Sequence, residues 1–191
     1  YSDHIDFPIF LTYPEIDYDD EGKEKGRELK TDQVNDAKAF WTRSKNELKK
    51  KDYKIGVITH AHHAIDIDKK GKDSYELRKA GASHMLITSN QRWALMVEND
   101  VSKEPDVEEY IKKFEDENID LILIEGFKTQ DIPKIELHRP SLGHPLLCVN
   151  DKNIIAIATD SKLTEDVDIP ILDLNDHKMI IEYIINEFLK K

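Results

Sequence analysis

The chain has 191 residues, of which 39% are hydrophobic and 35% charged, and its formal net charge is −11. That length supports one domain with a sizeable core, or one domain with an appendage. The acidic balance excludes a generic nucleic-acid or anionic-membrane binder, and no apolar run nears the roughly 18 residues of a membrane span.

In chain order, residues 7–13 (FPIFLTY) predict a short strand. Residues 14–33 carry charges of both signs and few apolar side chains, so they read as a linker. Residues 34–51 read as a helix with Val34, Ala37, Phe40 or Trp41, Ser44 and Leu48 on one face. Near Lys54 the texture changes, as if two unrelated pieces were joined. The expected layout is a strand piece (1–13), a linker (14–33), a helix (34–54) and a main domain (55–191). Within that domain IGVIT (55–59) is β-like, and MLIT (85–88) with WALMVE (93–98) predicts a hairpin. Pro105 opens a helix whose stripe is Val107, Tyr110, Ile111 and Phe114. IDLILIE (119–125) is a strand apolar enough to be covered on both faces. KIELH (134–138), LLCV (146–149) and IIAIAT (154–159) are further strands. A last helix, about 176–190, pairs Ile180/Ile181, Ile184/Ile185 and Phe188/Leu189, and Asn175 or Asp176 caps it. The order predicts an α/β fold, a mostly parallel sheet with a β-hairpin insertion.

The strongest site candidate is IDLILIEGFK. The strand delivers Glu125 to its carboxyl end and Gly126 turns the backbone, where ligands of open α/β sheets sit. A carboxylate there orients water or holds Mg²⁺, and Lys128 meets a phosphate. After IGVIT come His60, His62 and His63, expected as ligand contacts; alternation puts His60 and His62 on one face, two imidazoles able to bind a transition metal but with no third ligand at typical spacing. Lys72, Asp73 and Ser74 sit at a helix start, where backbone amides attract phosphate. The Asp66–Gly71 stretch fails as a calcium loop, because Lys70 and Leu77 stand where ligands are required. Arg92 lies in the hairpin turn as a further contact, and Trp93 is expected in the core. Asp160, just past IIAIAT, either accepts hydrogen bonds from a guanine edge or caps its turn. Cys148, the only cysteine, sits in an apolar run as a packed thiol, which fits a reducing cytoplasm. No segment spells the phosphate loop GxxxxGK[ST], no secretory leader pattern is present, and the opening on Tyr1 reads as a fragment or processed product.

From about Ile55 onward the chain resembles the MobB family of molybdopterin-guanine dinucleotide biosynthesis. The resemblance rests on the histidines at 60–63, GKDSYELRKAGA (71–82), QRWALM (91–96), IDLILIEGFK (119–128), IPKIELHR (132–139), IIAIATD and LDLND. It implies a P-loop NTPase-like fold, GTP and Mg²⁺ as cofactors, and a weak GTPase or accessory factor with Glu125 as its catalytic and metal residue. It also implies a molybdopterin guanylyltransferase partner, with molybdopterin as a further ligand. Thr59 stands where a lysine is expected. The family's first strand and phosphate loop have no counterpart in this sequence. Residues 1–54 instead resemble the interdomain region of the ninety-kilodalton heat-shock chaperones, the bacterial HtpG, through YSDHI and AFWTRSK. The strand at 7–13 and the helix at 34–51 stand to fill the gap in the sheet. Hydrolysis is not expected without the phosphate loop. The rival readings are a chaperone fragment and a non-enzymatic adaptor, and open strand edges suggest a homodimer.

Overall fold

The computed structural model describes residues 8–12, 46–60, 67–99, 105–127 and 129–189. The chain divides into two compact units, Tyr1–His60 with Val107–Lys191, and Ala61–Asp106.

The larger unit is built on a six-stranded sheet. Its strands are β1 (Pro8–Thr12), β2 (Ile55–Thr59), β5 (Leu121–Glu125), β6 (Lys134–His138), β7 (Ile154–Thr159) and β8 (Ile171–Asp173), in the order β2-β5-β1-β6-β7-β8. Every pairing is parallel. β1 occupies the central place, with Leu11 opposite Glu125 on one side and Ile135 on the other. The upstream strand expected at 7–13 thus lies within the sheet, between β5 and β6.

The apolar run of β5 is covered on both faces, as its sequence predicts. Leu121 and Leu123 pack with Ile135, Ala156 and Ala158 beneath Leu48 and the helix α4 (His177–Ile184), which contributes Ile180, Ile181 and Ile184. Leu48 lies in a helical segment, α1 (46–50), the described part of the expected 34–51 helix. On the opposite face Ile122 and Ile124 pack with Ile58, Phe127 and the helix α3 (Val107–Ile111). Asp176 caps α4, its carboxylate accepting the amides of Lys178 at 3.0 Å and Met179 at 3.1 Å. α4 then widens into a π-helical turn over Ile185–Leu189.

Two strand expectations need correction. LLCV is not a strand: residues 147–150 form a turn, with the Asn150 and Asp151 amides bonded to the Leu147 carbonyl. β8 was not anticipated, because three residues with the two outer ones exposed carry no periodic signal.

The smaller unit contains α2 (Asp73–Lys79) and the hairpin of β3 (His84–Thr88) and β4 (Trp93–Val97). Arg78 is its tie. The guanidinium bonds Asp68 at 2.7 Å and Glu98 at 2.6 Å, joining the segment before α2 to the exit of β4. Asp68 is thereby committed to Arg78. Trp93 is not in the core. It is 64% exposed, because alternation puts it on the same hairpin face as Leu86, Leu95 and Val97, which are all exposed.

Candidate functional site at the carboxyl edge of the sheet

Parallel strands bring their carboxyl ends to one edge. Along that edge of the larger unit stand Glu125 at the end of β5, Arg139 just past β6 and Asp160 just past β7. The Glu125 carbonyl accepts the His60 amide at 2.9 Å, so the exit of β2 is pinned to the end of β5. Gly126 has φ +97°, and a Cβ there would lie 2.9 Å from the His60 Cβ. Only glycine permits this crossing without displacement. The His60 ring lies 5.2 Å from the ring of buried Phe127, which in turn contacts Tyr110. Glu125, Gly126 and His60 therefore lie together at this edge, where the sequence suggests two separate candidates. His62, His63 and Lys128 lie outside the described residues.

The expected phosphate contacts Lys72, Asp73 and Ser74 do stand at a helix start, in the smaller unit. There the Gly71 amide is already bonded, at 3.2 Å, to the Glu76 carboxylate, so an acidic side chain of α2 itself occupies the approach. Arg92 closes the hairpin turn with its backbone: its carbonyl accepts from the Ser89 amide and hydroxyl, and its amide donates to Ser89 Oγ. Asp160 is ion-paired with Arg139, and its Oδ1 accepts the Ser161 hydroxyl at 3.0 Å.

The residues that sequence reasoning missed lie on β6. Lys134, Glu136 and His138 share one face of the strand and are all buried. Glu136 accepts the amides of Leu147 at 2.8 Å and Cys148 at 2.9 Å. Lys134 donates to the Gln130 carbonyl and to Asp151, both at 2.7 Å. The His138 Nδ1 lies 3.8 Å from Glu136 Oε1 and has no hydrogen-bond partner. This row straps residues 139–153 against the sheet in place of a crossover helix. The signal was the strict alternation of KIELH, which reads as a half-exposed strand unless the strand is known to be internal. Burial, then the adjoining Glu136 carboxylate, pushes the Cys148 thiol above its ordinary pKa, in line with a packed thiol. Among the described residues no group of three or more His, Cys, Asp or Glu can hold a metal ion. A magnesium ion at Glu125 would thus depend on ligand oxygens and water to complete its shell. Among the described residues no helix is long and apolar enough to cross a membrane.

Comparison with known proteins fits this arrangement. The family model described as molybdopterin guanine dinucleotide synthesis protein B matches residues 41–160. The molybdopterin-guanine dinucleotide biosynthesis adapter protein of Escherichia coli (strain K12) is 44% identical over 137 residues, 71% of this chain and 77% of that protein. The structure of Bacillus subtilis MobB superposes with a TM-score of 0.64 at 21% identity, covering 95% of this chain and 98% of that one, which establishes the common fold. A different stretch is similar to chaperone protein HtpG of Treponema denticola, 57% identical over 53 residues, 28% of this chain but 8% of that protein. One chain thus carries stretches similar to two families, and its sheet has the P-loop NTPase-like fold of the MobB structures. The chain belongs to the molybdopterin guanine dinucleotide synthesis protein B family, MobB.

Proposed function

We propose that the chain is an accessory adapter of molybdopterin-guanine dinucleotide biosynthesis, working in the cytoplasm beside a molybdopterin guanylyltransferase. Its nucleotide-facing site is the carboxyl edge of the sheet, with Glu125 toward a magnesium-bound phosphate and Gly126 and His60 beside it. The observation that carries this is the pinning of His60 over Gly126, which fixes the Glu125 backbone where a ligand of such a sheet sits. The adapter role is supported by the name of the 44% identical relative. The sequence contains no GxxxxGK[ST], whose amides and lysine supply most phosphate contacts in that fold. GTP is therefore held weakly and not turned over, and the chain acts by binding rather than by hydrolysis. The test measures melting temperature with and without Mg²⁺ and pyrophosphate. Glu125→Gln keeps shape and removes charge, so it should abolish the metal-dependent shift while sparing the fold. An identical shift in both proteins would remove Glu125 from the site. Retention of the chain on an immobilised guanylyltransferase tests the adapter role, and no retention would refute it.

A second reading concerns self-association. The hairpin offers an apolar face of Leu86, Trp93, Leu95 and Val97, and a second copy of the chain is its proposed occupant. Trp93→Lys should convert a dimer to a monomer in light scattering. A monomeric wild type at all concentrations would rule the dimer out.

A further inference from the structure

We infer that His138 and Glu136 form a proton-operated latch on the strap of residues 139–153, open when the imidazole is neutral and closed when it is charged. The inference is independent of what the carboxyl edge binds. His138 is 5% exposed and Glu136 fully buried, on one face of β6. The His138 Nδ1 stops 3.8 Å from Glu136 Oε1 and has no hydrogen-bond partner. That separation is about 1 Å beyond a hydrogen bond. Buried polar atoms normally find partners, and here a carboxylate oxygen stands close and is not used. The gap has an electrostatic reason. With its proton on Nε2, a neutral imidazole turns the Nδ1 lone pair toward the carboxylate, and two acceptors repel. Protonation converts Nδ1 into a cationic donor, and the same gap then closes to a charge-assisted bond.

The other partners of Glu136 set what the latch holds. Oε1 accepts the Leu147 amide at 2.8 Å and Oε2 the Cys148 amide at 2.9 Å. A carboxylate oxygen has two lone pairs, so Oε1 takes the His138 proton without releasing Leu147. A third donor fixes the carboxylate, and with it the strap. A buried carboxylate without a cation is costly, and the groups around this one supply none. Cys148 brings a thiol pushed above its ordinary pKa by burial and then by that carboxylate, so it stays neutral in mild acid. β7 places uncharged Thr159 opposite His138, and its hydroxyl donates to the Ser161 carbonyl at 3.1 Å. On the other side of β6, β1 carries no charged residue over Pro8–Thr12. Lys134, in the same row, is bonded to Asp151 of the strap at 2.7 Å, and Arg139 is paired with Asp160. The strap also carries His144, half-buried, so the test separates the two imidazoles. Because the strap begins at Arg139, on the carboxyl edge, closing the latch stiffens the border of that edge in acid.

The test is ¹⁵N NMR of the full chain, labelled on histidine and on the backbone, between about pH 8 and pH 5, the range in which an ordinary imidazole changes charge. At the upper end the His138 Nδ1 should be unprotonated. On acidification it should gain its proton, and the Leu147 and Cys148 amides should shift with the same midpoint. Exchange at Leu147, corrected for the intrinsic effect of pH, should slow by about tenfold, as expected of a hydrogen bond to a charged group. A cation that gains a partner in the folded state stabilises in acid and loses that gain as pH rises, so this protection should fade toward the upper end. His138→Phe fills the space without a proton and should remove both the amide step and the change in exchange. His144→Gln should retain both. A Leu147 step that survives in His138→Phe overturns the latch, as does one lost in His144→Gln. So does a His138 ring that carries its Nδ1 proton throughout or fails to titrate. Where His138→Phe does not fold, the wild-type midpoints decide: equal midpoints for the ring and the Leu147 amide support the coupling, and unequal ones refute it.

Discussion

Glu136 should be among the most sensitive positions in the fold, although no ligand is expected to touch it. Its side chain is fully buried, and its two oxygens accept the Leu147 and Cys148 amides. Glu136→Ala orphans both donors, and leaving a buried amide unpaired costs about 1–2 kcal/mol each, so about 2–4 kcal/mol in all. For a chain of this size that corresponds to a melting temperature lower by about 4–16 °C. Glu136→Gln keeps one acceptor and turns an NH₂ toward the other amide, so its cost should be about half, 1–2 kcal/mol. Urea unfolding followed by circular dichroism measures both. Hydrogen exchange locates the loss, which should fall first on the amides of residues 147 and 148. If Glu136→Ala unfolds within about 0.5 kcal/mol of wild type with those two amides still protected, the strap is held by something else.

Further outcomes follow from other contacts. Gly126→Ala combines φ +97° with a 2.9 Å approach to His60 and should cost about 1–3 kcal/mol; an unchanged melting temperature would count against the crossing at His60. Burial raises the Asp151 carboxyl, but the Lys134 ammonium and the Asn153 amide outweigh it and hold it below the usual range. A depressed folded-state pKa means this contribution is complete above the unfolded value, about 3.9, and is lost as pH falls through the folded one. Asp151→Asn should therefore flatten the acid limb of stability below about pH 4, and an unaltered limb would refute the pairing. The Arg78 hydrogen bond likewise holds Asp68 low against the effect of burial, so exchange protection in 67–99 should fall with acid in the same window, and Asp68→Asn should remove that dependence. The raised Cys148 thiol should react with iodoacetamide at pH 8 more slowly than a cysteine peptide; equal rates would show it unshielded.

What could be read from the sequence was what has a period or a position. IDLILIE announced an internal strand because apolar side chains on both faces have no use elsewhere, and Leu121 to Ile124 are indeed all buried. Glu125 and Gly126 followed from it, since the first polar residue after such a run emerges at the sheet's edge. LLCV misled because its apolar texture fits a strand, whereas the amides of Leu147 and Cys148 are taken by a side chain from β6. That contact is tertiary and leaves no trace in local spacing. The partnership of Arg139 with Asp160 was hidden for the same reason: the two residues meet only because β6 and β7 are neighbours. Trp93 was misplaced because size favours burial, yet alternation along β4 sets it on the exposed face.

The placement of β1 also constrains how the protein is made. Pro8 pairs with Ile122, and Phe10 pairs with Lys134. As the chain leaves the ribosome, β1 must therefore wait for more than a hundred further residues before either neighbour exists. Loop closure over such a distance precedes any reward from pairing, and contacts this remote in sequence slow folding. Meanwhile β2 and β5 can associate, leaving the inner edge of β5 open to any extended segment nearby. The centre of the sheet thus cannot form until residues 121–138 are made, and yields on expression should depend on how quickly residues 8–12 find their slot.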